Sequence, residues 1–217
     1  MSQWGHDFRT SYLKISDFIS KLDDRPVVSA FTATATDAVK RDILNLLGLK
    51  NPFEITTGFD RKNLFFAVKR PQNKQKELLA IVSEHKNQSG IIYCSTRKNV
   101  EKVSDFLNEN GYDSLIYHAG LSNEIRSKNQ DDFINDRCNL IVATNAFGMG
   151  IDKPDVRFVV HYNMPKNLEN YYQEAGRAGR DGENSDCVLL YSPGDVHTQK
   201  FFIENNDENT ELTEEQR

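Results

Sequence analysis

Short apolar runs rich in β-branched and aromatic residues alternate along this chain with longer stretches whose apolar positions recur at helical spacing. The runs VVSAF (27–31), LFFAV (64–68), GIIYC (90–94), SLIYH (114–118), LIVAT (140–144), RFVVHY (157–162) and CVLLY (187–191) predict strands. Helices are predicted near 37–47, 74–86, 97–110, 123–135, 167–175 and 194–204. Thr36 and Ser122 stand where N-caps belong, Gly48 closes the first of these helices, and Arg126 and Lys128 face outward from the fourth. Near-continuous apolar strands alternating with helices are the pattern of a parallel sheet covered on both faces, an α/β doubly wound fold. The turn-rich stretch GLKNPFEITTGFDRKN (48–63) is the expected boundary between one strand–helix unit and the longer series after it.

Parallel sheets of this kind bind ligands beyond the carboxyl ends of their strands. Those positions here read TATAT, STRKN, HAGLS, TNAFGMGIDKPD and NMP, rich in hydroxyls and small residues that suit phosphate contact at helix N-termini. Taken singly, each such stretch also reads as an ordinary helix cap. YYQEAGRAGRDG (171–182) adds two arginines three apart between glycines. An arginine fork matches phosphate oxygens, and the same residues would also serve to cap the end of a helix.

Composition narrows the class. The 217 residues are 38% hydrophobic and 27% charged, as expected of a soluble globular protein with a sizeable core. No apolar run is as long as a membrane span and the N-terminus has no signal-peptide pattern, so a cytosolic protein with no membrane partner is expected. Cys94, Cys138 and Cys187 lie far apart, in neither a zinc spacing nor a disulfide framework. The net charge of −5 belongs to the stretch from Glu204 onward, which holds six acids and one arginine. The body before it is neutral overall, which leaves room for a local basic groove.

FTATAT, GIIYCSTRKNVEKV, YHAGLS, VATNAFGMGIDKPDVRFVVHYNMP and YYQEAGRAGRDG, in that order, resemble motifs III to VI of superfamily 2 helicases. SQWGHDFR (2–9) is similar to the aromatic-rich loop of RecQ-type DNA helicases, and the AFGMGIDKPDVRFVVH form of motif V points the same way. The resemblance covers residues 2–192. It implies a motor of two RecA-like lobes that couples ATP hydrolysis, with Mg²⁺, to 3′→5′ movement on single-stranded or forked DNA. None of the twelve glycines is followed by Lys, so there is no G-x-x-x-x-G-K-[ST], and the sole Asp–Glu pair, Asp207–Glu208, follows no apolar strand. The expectation is therefore a part of such a motor, inactive alone. Residues 1–57 would be the end of the first lobe, 58–205 the second lobe, and 206–217 an acidic disordered tail. The P-loop lobe, the Mg²⁺ ligands and the zinc and winged-helix segments would lie elsewhere, and no zinc is expected here.

By resemblance, Arg177 and Arg180 contact the γ-phosphate, Arg180 as the arginine finger, and Gln173 helps to order the cleft. Asp152 would accept from the ATP ribose or from a motif VI arginine, with Gly148 and Gly150 allowing close approach. Ser95, Thr96 and Thr144 would hold DNA phosphates, with charge from Arg97 and Lys98. Trp4, His6, Phe8 and Arg9 would form a DNA-sensing loop. Thr32 and Thr34 match motif III, and His118 reads as a hydrogen-bonded structural histidine. A stand-alone nucleic-acid or partner-binding module derived from a helicase lobe is the alternative, and an RNA substrate is a further one.

Overall fold

A computed structural model describes residues 14–32, 37–55, 60–148 and 151–200. The chain divides into two compact units, Met1–Phe59 and Asp60–Arg217.

In the first unit the described helices are α1 (Ile15–Ser20) and α2 (Asp37–Leu46). The carbonyls at the end of α2 attract a cation, as a helix C-terminus should: Arg25 donates through Nη2 to Leu47 O at 3.1 Å and Gly48 O at 2.7 Å. The strand expected at 27–31 does not form, and Val27 and Phe31 are 97% and 93% exposed. A strand exists only where its backbone finds a paired neighbour, and no described residue of this unit is in one. Thr32 is exposed on the same stretch, whereas Thr34 and the Thr36 cap lie outside the described residues.

The second unit is built on β1 (Leu64–Lys69), α3 (Lys74–Glu84), β2 (Ser89–Tyr93), α4 (Arg97–Glu109), β3 (Ser114–Tyr117), α5 (Asn123–Ile134), β4 (Leu140–Ala143), β5 (Val156–His161), α6 (Leu168–Ala175) and β6 (Ser185–Leu190). A further helical stretch runs over 193–200. Sequence signals start these helices: the side chains of Asn73, Thr96, Ser122 and Asn167 accept from Lys76, Asn99, Ile125 and Asn170 amides at 2.8–3.3 Å.

The six strands form one parallel sheet in the order β1-β6-β5-β2-β4-β3. Alternate side chains of the central strands feed two cores, which is why the runs are apolar at nearly every position. Ile92, Val142, Phe158 and Val160 pack with Leu78 and Val82 of α3 and Val100 and Leu107 of α4. Ile91, Tyr93, Ile141 and Val159 pack on the other face with Phe133 of α5, Phe147 and Ala175 of α6. Helices therefore cover both faces, and the carboxyl ends of β2, β4 and β5 are brought side by side by the register Tyr93↔Ala143 and Tyr93↔His161. No helix among the described residues is long and apolar enough to cross a membrane.

Candidate functional site

The arginine pair sits on a loop made by the end of α6. The helix closes with the Gly176 amide on Tyr172 O at 2.8 Å. Gly179 then takes φ +54°, a left-handed conformation that costs glycine least, and its amide reaches Val156 O at 2.9 Å. The Asp181 amide reaches Pro154 O at 3.2 Å, and the Asp181 carboxylate pairs with Arg157, which holds that carboxyl below its usual range. The loop is thus fastened at several points to the start of β5 and the turn before it.

Both arginines converge on the segment that follows β4, and they do so differently. Arg177 Nη1 donates to Gly148 O at 2.6 Å, and its Nε is buried without a hydrogen-bond partner. The approach requires glycine: a Cβ on residue 148 would stand 2.0 Å from Arg177 Nη2. Arg177 also lies beside the Tyr93 hydroxyl, which donates to Phe147 O at 3.1 Å. Burial pushes the Tyr93 phenol far up, while the positive charge of Arg177 pulls the other way. Arg180 Nη1 donates to Ile151 O at 2.9 Å and Asp152 Oδ1 at 2.8 Å. That pair lies outside, with side chains 36% and 86% exposed. Gln173 is exposed on α6.

A second group gathers at the ends of β2, β4 and β5. The Ser95 amide donates to Asn163 Oδ1 at 3.2 Å, and Asn99 Nδ2 donates to the same oxygen at 3.1 Å. Asn163 Nδ2 in turn reaches Asp195 Oδ1 at 3.1 Å, and Lys74 Nζ reaches Asp195 Oδ2 at 2.7 Å. The Thr96 hydroxyl caps α4, and the Thr144 hydroxyl accepts from the Ala146 amide at 3.4 Å. Arg97 is exposed beside them. His118 is buried and accepts at Nδ1 from the Gly120 amide at 3.2 Å, while its Nε2 lies 3.5 Å from Glu101 without a hydrogen bond.

Beside this second group lies a cavity of roughly 240 Å³ whose lining includes Tyr93, Ser95, His161, Asn163, Lys166 and Glu174. Its floor holds a pair that sequence reasoning missed. His161 Nε2 and Glu174 Oε2 are 2.9 Å apart, both buried, with the imidazole stacked on Tyr93 and edge-on to Tyr171.

The structure therefore brings Arg177, Arg180 and Asp152 together, and Ser95, Thr96, Arg97 and Thr144 into a neighbouring group. Gly150, Trp4, His6, Phe8 and Arg9 lie outside the described residues, as does the stretch 206–217. Among the described residues no cluster of His, Cys, Asp and Glu is arranged to hold a metal ion.

The family pattern described as "Helicase conserved C-terminal domain" matches residues 73–182, which span β2 to β5 and the whole arginine loop. The chain is 46% identical over 207 residues to the ATP-dependent DNA helicase RecQ of Bacillus subtilis, covering 95% of this chain and 35% of that protein. It is 47% identical over 216 residues to an Acanthamoeba polyphaga mimivirus protein whose name carries an ATP-dependent RNA helicase assignment, covering 99% of this chain and 39% of that one. It thus spans little more than a third of these relatives. Among solved structures, S. cerevisiae Dbp5 bound to RNA and ADP BeF3 shares the fold, with a TM-score of 0.67 at 22% identity over 89% of this chain and 51% of that one.

Proposed function

The chain belongs to the helicase conserved C-terminal domain family, of RecQ type, and from that premise we propose that it acts as the second motor lobe of an ATP-dependent 3′→5′ DNA helicase. The observation that carries the reading is the placing of Arg180: on a loop fastened by its backbone, partly exposed, and paired with an almost fully exposed carboxylate. Such a guanidinium is fixed at its base and can meet a phosphate arriving from another module. The residues present fit that group. Arg180 would hold the γ-phosphate and Asp152 would accept from ATP hydroxyls or steady Arg180 in its absence. ATP supplies the phosphoryl transfer whose free energy drives movement. What this chain contributes is charge at a set position.

Ser95, Thr96 and Thr144 would grip the DNA backbone without reading sequence, helped by Arg97. Their clustering at two adjacent strand ends, those of β2 and β4, supports this assignment, and SQWGHDFR supports DNA over RNA as the polymer. Mg²⁺ would be held by a lobe with a P-loop and an acidic box. Alone, this chain is proposed to turn over no ATP, since its sequence holds no G-x-x-x-x-G-K-[ST].

The test is ATP hydrolysis by this chain joined in phase to a RecQ-type first lobe, with saturating single-stranded DNA or RNA of matched length. Arg180→Ala should lower kcat at least ~100-fold, in line with the worth of arginine fingers. DNA should stimulate more than RNA. Undiminished turnover in Arg180→Ala would remove the assigned role.

A further inference from the structure

Arg61 belongs to FDRKN, a stretch that reads as a turn at the boundary between the units, and nothing in its sequence neighbourhood suggests a link to the arginine loop. In the structure its fork closes on that loop. Arg61 Nη1 donates to Gly176 O at 3.3 Å, and Nη2 donates to Ala178 O at 3.0 Å and Gly179 O at 2.8 Å. These three carbonyls bracket Arg177 and lie just before Arg180. Asn63 completes the grip, its Nδ2 donating to Gly179 O at 2.8 Å and Glu183 O at 2.9 Å. Space there is tight: a Cβ on residue 179 would lie 2.5 Å from Asn63 Nδ2 and 2.6 Å from Glu183 O.

We infer that Arg61, seconded by Asn63, is a positioning residue for the arginine loop, setting the backbone from which Arg180 reaches its phosphate. The inference deepens the proposed reading of Arg180 and rests on it for its catalytic consequence. Four features support it. The end of α6 leaves carbonyls that a helix cannot satisfy itself, and a guanidinium is the side chain able to satisfy several at fixed angles. The five bonds fall on one short loop and reach across 115–120 residues of sequence, so they are not local turn chemistry. Arg61 is only partly exposed, so these charge-assisted bonds are less screened than a surface pair. The second unit begins at Asp60, so the chain arriving from the first unit meets this clamp one residue later.

The experiment has two arms. In the first, amide hydrogen exchange is followed in this chain and in its Arg61→Ala and Arg61→Lys variants. The amides of Gly179, Asp181 and Gly182 should exchange at least ~10-fold faster in Arg61→Ala, with those of β2 and β4 unchanged, and Arg61→Lys should fall between. In the second, the same substitutions are placed in the two-lobe ATPase beside Arg180→Ala. Arg61→Ala should lower kcat at least ~10-fold with the KM for DNA within about twofold, because only the placing of a phosphate-contacting group has changed. If Arg61→Ala does not fold, Arg61→Lys decides both arms. Unchanged loop exchange overturns the clamp. Normal kcat in the Arg61 variants beside an inactive Arg180→Ala overturns its catalytic consequence and leaves the reading of Arg180 standing. Full turnover by Arg180→Ala overturns that reading, and the exchange arm still decides whether Arg61 holds the loop.

Discussion

The two arginines of the loop should differ in what they do for stability, and the difference can be worked out from their partners. Arg177 loses most when truncated. Its 2.6 Å bond to Gly148 O is charge-assisted and sheltered, and hydrogen bonds to charged groups contribute about 1.5–3 kcal/mol. Truncation to Ala also leaves the Gly148 carbonyl without its donor and opens a void beside Tyr93. The unpartnered Nε partly offsets this, because removing a cation that is incompletely satisfied relieves some desolvation. The expected net cost of Arg177→Ala is about 2 kcal/mol. Arg180→Ala loses an exposed ion pair, worth about 0–1 kcal/mol, and one bond to Ile151 O, so its cost should stay near or below about 1 kcal/mol. Urea melts of this chain followed by circular dichroism can resolve the two. With a slope of about 2 kcal/mol per molar, Arg177→Ala should move the midpoint down by roughly 1 M and Arg180→Ala by half that or less. If Arg180→Ala proved as costly as Arg177→Ala, the inside–outside division of the pair would be wrong.

Two further outcomes follow from packing. Gly90→Ala would put a Cβ 2.0–2.4 Å from three atoms of the buried Phe158 ring, so it should destabilise the second unit by about 3 kcal/mol or more, with Phe158→Leu restoring part of the loss in a thermal melt. Equal melting temperatures for Gly90→Ala and the parent would show that the ring has room to move. Among the thiols, burial pushes Cys187 up to about 12 and Cys94 higher still, whereas Cys138 is only half-buried, so Cys138 alone should react promptly with a thiol reagent at pH 8. Because the folded chain keeps protons that the unfolded chain releases above about pH 9, these two thiols contribute stability that is fully present below that pH and falls away as pH rises toward 12. Stability that increased over that window, or faster labelling of Cys187 than of Cys138, would contradict the burial assigned to them.

The parts of this fold that were legible in the sequence are those where one local signal has one structural meaning. The six strands of the sheet begin and end within two residues of the apolar runs that predict them, and Ser122 caps α5 as its position suggests. VVSAF carries the same signal as LIVAT, yet only the latter finds neighbours to pair with. Whether a run is a strand is decided by what lies beside it, which composition does not record. Helix α1 gave no warning, since Lys14 supplies no capping side chain and Ile19 is its one buried residue. The His161–Glu174 pair joins the end of a strand to the end of a helix thirteen residues on, and His161 reads as nothing more than a position within an apolar run. Arg61 was hidden more deeply, because its acceptors are backbone carbonyls, which every residue has.

The spacing of the arginine pair, legible from the first, acquires its meaning from Gly179. On a helix, residues three apart share a face, and Arg177 and Arg180 would then compete for one anion. Here the left-handed turn at Gly179 separates them, sending Arg177 against Gly148 and Tyr93 and leaving Arg180 at the surface over Asp152. For an incoming phosphate the two are not equivalent donors. Drawing Arg180 away forfeits one exposed ion pair and one carbonyl bond, about 1 kcal/mol, which a phosphate oxygen readily replaces. Drawing Arg177 away forfeits about twice that and undoes the contact that holds the segment after β4 against the loop. On the proposed reading, Arg180 is recruited at little cost while Arg177 stays in place, an asymmetry that suits a site binding and releasing the same anion repeatedly.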